Sequence, residues 1–158
     1  MRVSVLTVSD SVSSGKAEDR SGVSVAARCR ELGWEIVASS VLPDDRAAIE
    51  GFLKNACDSK GADAILTTGG TGLGPRDVTP EATGAIAERF IPGFPEHMRA
   101  EGQKKSARAI LSRGIACTRG KTIVINLPGS PRGAVESLDA IAGLLPHAVN
   151  VLNGMHHG

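Results

Sequence analysis

Between Ala64 and Thr83 the chain passes from a short apolar run, through Gly69-Gly70-Thr71-Gly72, to Thr79-Pro80 at the head of a helix. A buried strand that turns on glycines into a helix is the repeating piece of α/β proteins. The rest of the chain repeats the alternation. Residues 3–8 are rich in β-branched side chains and read as a buried strand, followed by a polar loop over 9–20. Ser21 is placed to cap a helix to about Leu32, with Gly33 as its stop. Residues 34–42 form a second strand, broken by Pro43-Asp44. From Asp45 to about Cys57, Ile49, Phe52, Leu53 and Ala56 recur at helical spacing.

After the glycine turn, Thr79 is the expected N-cap and Pro80 the first residue of a helix ending near Arg89. Ile91-Pro92-Gly93 separates it from a helix over 95–106. Residues 115–118 and 122–127 flank Arg119-Gly120-Lys121 as a hairpin. Pro128-Gly129-Ser130-Pro131 is a stiff loop, and 134–152 is helical with a break near Pro146. The pattern predicts one domain over 1–158. Its fold class is three-layer α/β/α, with a mostly parallel sheet and a small antiparallel hairpin. Ligands of such folds sit outside the carboxyl ends of strands, at a topological switch point. Four polar loops follow strands: Ser9-Asp10, Pro43-Asp44, Gly69 to Asp77, and Pro128 to Arg132. Topology predicts that they line one rim.

Composition narrows the partners. A net charge of +1 shows no basic stripe, and 3% aromatics without tyrosine offer no stacking platform, so nucleic acid is not expected. No apolar run approaches the ~20 residues of a membrane span, and no signal peptide is apparent. Cys29, Cys57 and Cys117 are scattered and suggest neither a disulfide framework nor a metal site. A cytoplasmic protein is expected.

The glycine turn lacks the Gly-Lys-Ser/Thr ending of a Walker loop and misses the dinucleotide spacing. Its freed N–H groups can still face a phosphate, with Arg76 adding positive charge and Asp77 holding a cation that the phosphate brings. Equally, Asp77 can serve as favourable charge near a helix N-terminus. Asp45 is the better helix cap after Pro43, which leaves Asp44 without a structural assignment. Asp44 and Asp77, from different strand ends, can share a metal. Ser9-Asp10 and Asp19-Arg20-Ser21-Gly22 read as ordinary turn chemistry when taken singly. Arg113 can bind a phosphate bidentately or lie on the surface. His97 and His147 read as surface or packing residues, and His156-His157 as a frayed tail.

In order and spacing, several motifs together resemble the MogA/MoaB-type molybdenum-cofactor biosynthesis proteins, a family whose domain also occurs in gephyrin. They are Leu6-Thr7-Val8-Ser9-Asp10, Asp19-Arg20-Ser21-Gly22, Pro43-Asp44, Gly69-Gly70-Thr71-Gly72, the run from Pro75 to Thr83, Ile110-Leu111-Ser112-Arg113, and the run from Asn126 to Pro131. The resemblance implies a molybdopterin adenylyltransferase that uses ATP and Mg²⁺, or a non-catalytic MoaB-like protein that binds molybdopterin. It implies Asp44 and Asp77 as the required aspartates and Mg²⁺ ligands. Gly69, Gly70, Thr71, Gly72, Arg76, Pro128, Gly129 and Ser130 would bind nucleotide and phosphate. Ser9, Asp10, Ser112 and Arg113 would bind the pterin. Ser130 stands where the family often has asparagine. The family also implies a homotrimer or hexamer and a downstream protein that inserts molybdate. A nucleotide-hydrolysing domain of the competence-damage type shares the fold and the glycine loop, but the run from Pro75 to Pro80 fits it less well.

Overall fold

The computed structural model describes residues 1–155, so His156-His157 lies outside the described residues. The strands are β1 (Arg2–Val8), β2 (Glu35–Leu42), β3 (Ala64–Thr68), β4 (Arg89–Phe90), β5 (Ala116–Arg119) and β6 (Thr122–Leu127). They form one six-stranded sheet in the order β2-β1-β3-β6-β5-β4. The four strands from β2 to β6 pair in parallel, and β5 is antiparallel to both of its neighbours.

Helices cover both faces: α1 (Asp10–Ser13), α2 (Arg20–Glu31), α3 (Arg46–Asp58), α4 (Thr79–Ile86), α5 (Gly93–Gln103), α6 (Pro131–Ile141) and α7 (Leu145–Leu152). Strand alternation divides the core in two. Val3, Val5, Leu66, Ile123 and Ile125 face α2, α5, α6 and α7, whereas Leu6, Val8, Ile65 and Val124 face α3 and α4. Both strand faces are therefore apolar, as a parallel sheet covered on two sides requires. The three cysteines are free and buried, and burial pushes the thiols of Cys29 and Cys57 up to about 11 and that of Cys117 to about 12. No helix among the described residues is long and apolar enough to cross a membrane.

Several local expectations change. Asp19, not Ser21, caps α2: its carboxylate accepts from Gly22 N at 2.9 Å and from the Thr7 hydroxyl at 2.9 Å. Ser21 is buried inside the helix. The hydroxyl of Thr7 on β1 thus decides between two caps of similar local merit. Ser9 caps a short α1 within the expected loop. Thr79 is the first residue of α4 rather than its cap, because its hydroxyl donates to Gly69 O. That helix ends at Ile86, and Arg89–Phe90 pairs with β5 as an extra strand. A 3-10 helix over Ala107–Leu111, capped by Ser106, follows α5. The last helical stretch is two helices, with the break just before Leu145 and Pro146.

Candidate functional site

The chain crosses from β1 to its outer neighbour β2 and then back to β3 on the other side, so a crevice opens between the carboxyl ends of β1 and β3. A cleft of roughly 390 Å³ occupies it, lined by Ser9, Asp44, Gly69, Gly70, Asp77 and Gly129 among others. The four strand-end loops do meet there.

The glycine loop has a particular polarity. Four successive carbonyls are held by protein donors: Gly69 O by the Thr79 hydroxyl at 3.0 Å, Gly70 O by Thr79 N at 3.1 Å, Thr71 O by Arg113 N at 2.9 Å, and Gly72 O by Arg113 Nε at 2.8 Å. In a trans peptide the N–H points opposite to the C=O. Each bond therefore turns the next N–H, from Gly70 to Leu73, away from its donor. None of these four N–H groups has a protein acceptor among the described residues. A run of unpaired N–H groups is a cradle for anionic oxygen. Gly69 and Gly70 permit it, with φ of +100° and +70°. A Cβ on Gly69 would meet Val8 O, and one on Gly70 would meet the Thr79 hydroxyl and lie 3.1 Å from Asp44 Oδ1.

The carboxylates sit beside this cradle. Asp10 and Asp44 bond reciprocally, Asp10 N donating to Asp44 Oδ2 at 2.9 Å and Asp44 N to Asp10 Oδ1 at 3.0 Å. Arg76 caps Asp10 with two bonds of 3.0 Å each, and this guanidinium holds the Asp10 carboxyl below its ordinary 3.8. Arg76 thus rests on Asp10 as a largely exposed ion pair. Asp44 moves the other way. Burial raises it above 3.8, the N–H of Asp10 opposes the shift, and the negative charges of Asp10 and Asp77 add to it. Asp77 Oδ2 accepts from Gly74 N at 2.8 Å. Two carboxylates with spare lone pairs, next to a phosphate cradle, suit a magnesium ion that arrives with a nucleotide. Such an ion takes one or two carboxylates and completes its shell with phosphate and water. Among the described residues, no group of three or more His, Cys, Asp or Glu stands together as a metal cage.

A second cavity, of about 410 Å³, lies across the 128–131 loop and is lined by Met98, Arg99, Ser112, Asn126, Pro128 and Ser130 among others. Loop residues alternate, Gly129 and Pro131 lining the first cleft and Pro128 and Ser130 the second. The residues expected at the pterin are therefore divided: Ser9 lines the first cleft and Ser112 the second. Asp10 lines neither cavity and is paired with Arg76. Ser130 accepts from Gly133 N at 3.1 Å and caps α6. Arg113 lines neither of these two cavities. Its side chain makes four hydrogen bonds to protein, two of them to Glu81.

Sequence reasoning missed Asn126. Its Nδ2 donates to the hydroxyls of Thr67 at 2.9 Å and Thr83 at 3.0 Å, and its Oδ1 accepts from Ile115 N at 3.1 Å. The signal was present: an amide in the middle of a buried apolar strand must find partners. Thr68 adds a tie between the loops, its hydroxyl donating to Pro128 O at 2.6 Å.

A family model for a probable molybdopterin binding domain matches residues 4–147. The molybdopterin adenylyltransferase of Helicobacter pylori (strain J99) is 39% identical, over 98% of this chain and 89% of that protein. The crystal structure of the molybdopterin biosynthesis enzyme MoaB from Thermus thermophilus is 44% identical with a TM-score of 0.91, covering 98% of this chain and 97% of its own. That of the tungsten cofactor synthesizing protein MoaB from Pyrococcus furiosus is 31% identical with a TM-score of 0.86, covering 96% of each chain.

Proposed function

The chain belongs to the MogA/MoaB family of molybdenum-cofactor biosynthesis proteins, and we propose that it is a molybdopterin adenylyltransferase, joining AMP from Mg-ATP to the terminal phosphate of molybdopterin. One observation carries the reading: the carboxylates of Asp44 and Asp77 stand in one cleft with an N–H-lined glycine loop.

A phosphate monoester has a second pKa of about 6, so at neutral pH it is already an ionised nucleophile. Little general-base help is needed. The problem is repulsion between two anionic phosphates in the transition state. A pterin phosphate oxygen forms a bond to the α-phosphorus. The bond from that phosphorus to the bridging oxygen breaks, and pyrophosphate leaves. The N–H groups of the glycine loop orient the nucleotide phosphates. Asp44 and Asp77 would hold the magnesium that enters with ATP, and that ion would supply neutralising charge to the phosphates. Nucleotide binds in the cleft, pterin binds around Ser112 in the second cavity, and the phosphates meet at the 128–131 loop. Exposed Phe90, Ile110 and Leu111 support self-association into the trimer or hexamer of the family, which passes its product to a molybdate-inserting partner.

The test is direct. Protein incubated with molybdopterin, ATP and Mg²⁺ should yield adenylylated pterin by mass spectrometry, with stoichiometric pyrophosphate. Bound pterin without product would leave a MoaB-like carrier, and ATP breakdown without pyrophosphate would indicate a hydrolase.

The raised carboxyl of Asp44 adds a pH dependence. It must be ionised to hold a cation, so Mg-ATP affinity should fall with acidification along a limb lying above 3.8. Asp44→Asn should bind weakly and lose that limb. Calorimetric titration checks this, and a limb that persists in the variant would refute the assignment. Stability runs the opposite way. A carboxyl raised in the folded state contributes stability that is present below 3.8 and lost as the pH rises through its folded value.

A further inference from the structure

We propose that Arg113 and Glu81 form a positioning strut that sets the Gly72–Asp77 segment, and through it the Asp77 carboxylate, rather than a ligand contact. The inference rests on the adenylyltransferase reading for its effect on turnover, but the strut itself is a property of the free protein.

Arg113 leaves the 3-10 helix and meets the glycine loop at three carbonyls. Its backbone N–H reaches Thr71 O at 2.9 Å, its Nε reaches Gly72 O at 2.8 Å, and its Nη2 reaches Asp77 O at 2.9 Å. Glu81, in the first turn of α4, grips the same guanidinium with both oxygens, at 2.7 Å to Nη1 and 3.1 Å to Nη2. The guanidinium is planar and its donors are fixed in direction, so one side chain ties both ends of the segment to the helix that follows it. The segment between is exposed from Leu73 to Arg76, and its other tie to the body of the protein is the Arg76 guanidinium on Asp10, which acts on a side chain rather than on the loop carbonyls. Its internal bonds join Gly74 and Asp77: Asp77 N to Gly74 O at 3.0 Å and Gly74 N to Asp77 Oδ2 at 2.8 Å. Where the segment's two ends lie fixes where the Asp77 carboxylate points. Glu81 lines neither the cleft nor the second cavity, and its carboxylate is engaged by the Arg113 guanidinium through two bonds.

Lysine at 113 cannot reproduce the fork, and glutamine at 81 cannot accept it with charge. Arg113→Lys, Glu81→Gln and the double variant are compared with the parent chain. Hydrogen–deuterium exchange of the free proteins should show the Gly74 amide exchanging faster in both single variants, with the exchange of β1 and β3 unchanged. The KM for Mg-ATP should rise about 10- to 100-fold, the scale of a misplaced reacting group. The KM for molybdopterin should stay within about twofold, and the double variant should be no worse than the poorer single, as for two residues of one unit. Unchanged exchange at Gly74 in Glu81→Gln would overturn the strut. So would a molybdopterin KM that rises in Arg113→Lys while Glu81→Gln is normal, because Arg113 would then be a ligand contact. If the parent chain makes no adenylylated pterin, the functional reading fails on its own, and the exchange measurement still decides the strut.

Discussion

Asp77→Ala should slow adenylyl transfer by about 10²–10³ while the protein folds normally. Its carboxylate is half-exposed, and its hydrogen bond to protein among the described residues is with Gly74 N in its own loop. Losing one such bond costs about 1 kcal/mol of stability. The effect on chemistry is far larger under the proposed adenylyl transfer, in which the carboxylate acts where two anionic phosphates approach. Removing one electrostatic group of that kind lowers the rate by about 10²–10³. Rapid-quench single-turnover kinetics should show that loss with a melting temperature close to the parent's. Normal turnover in this variant would mean that the loop has another role.

Asn126→Leu should be the most damaging change to the fold outside the apolar core. Asn126 is 2% exposed and joins β6 to β3 through Thr67, to α4 through Thr83, and to the start of β5 through Ile115. Leucine has similar volume but no polar atoms. It leaves the Ile115 N–H and two hydroxyls buried without their partner, at about 1–3 kcal/mol for each group that stays unsatisfied. A loss of about 3 kcal/mol or more follows, and for a chain of this size about 2–4 °C in Tm accompanies each kcal/mol. Urea unfolding monitored by circular dichroism measures it. A loss below about 1 kcal/mol would mean that the hydroxyls find other donors and the network is dispensable.

What could be read from the sequence was set by local chemistry. β1, β2, β3 and β6 are rich in Val, Ile and Thr, and β2, β3 and β6 stop at Pro43, Gly69 and Pro128, so these strands were legible along the chain. The rim loops were legible too, because a parallel α/β topology leaves little choice of where strand ends go. Residues whose roles depend on distant neighbours were not. Thr79 looks like a cap, but its hydroxyl is claimed by Gly69 O across the loop. Ser21 loses the cap of α2 to Asp19 because Thr7 lies beneath it. A two-residue strand such as β4 carries no periodicity, and only its pairing with Thr118 and Cys117 defines it. Arg113 shows the same limit at the site. Its charge was visible, but its ion pair with Glu81, 32 positions away in the chain, was not.

The 128–131 loop is a wall one residue thick. Pro128 and Ser130 face one cavity while Gly129 and Pro131 face the other, on the same short length of backbone. The two chambers therefore cannot vary independently. A substitution that reshapes one side displaces the other through a shared main chain, and Ser130 also anchors that chain to the start of α6. Under the proposed function, the fit of nucleotide on one side and pterin on the other is therefore adjusted through one stretch of backbone.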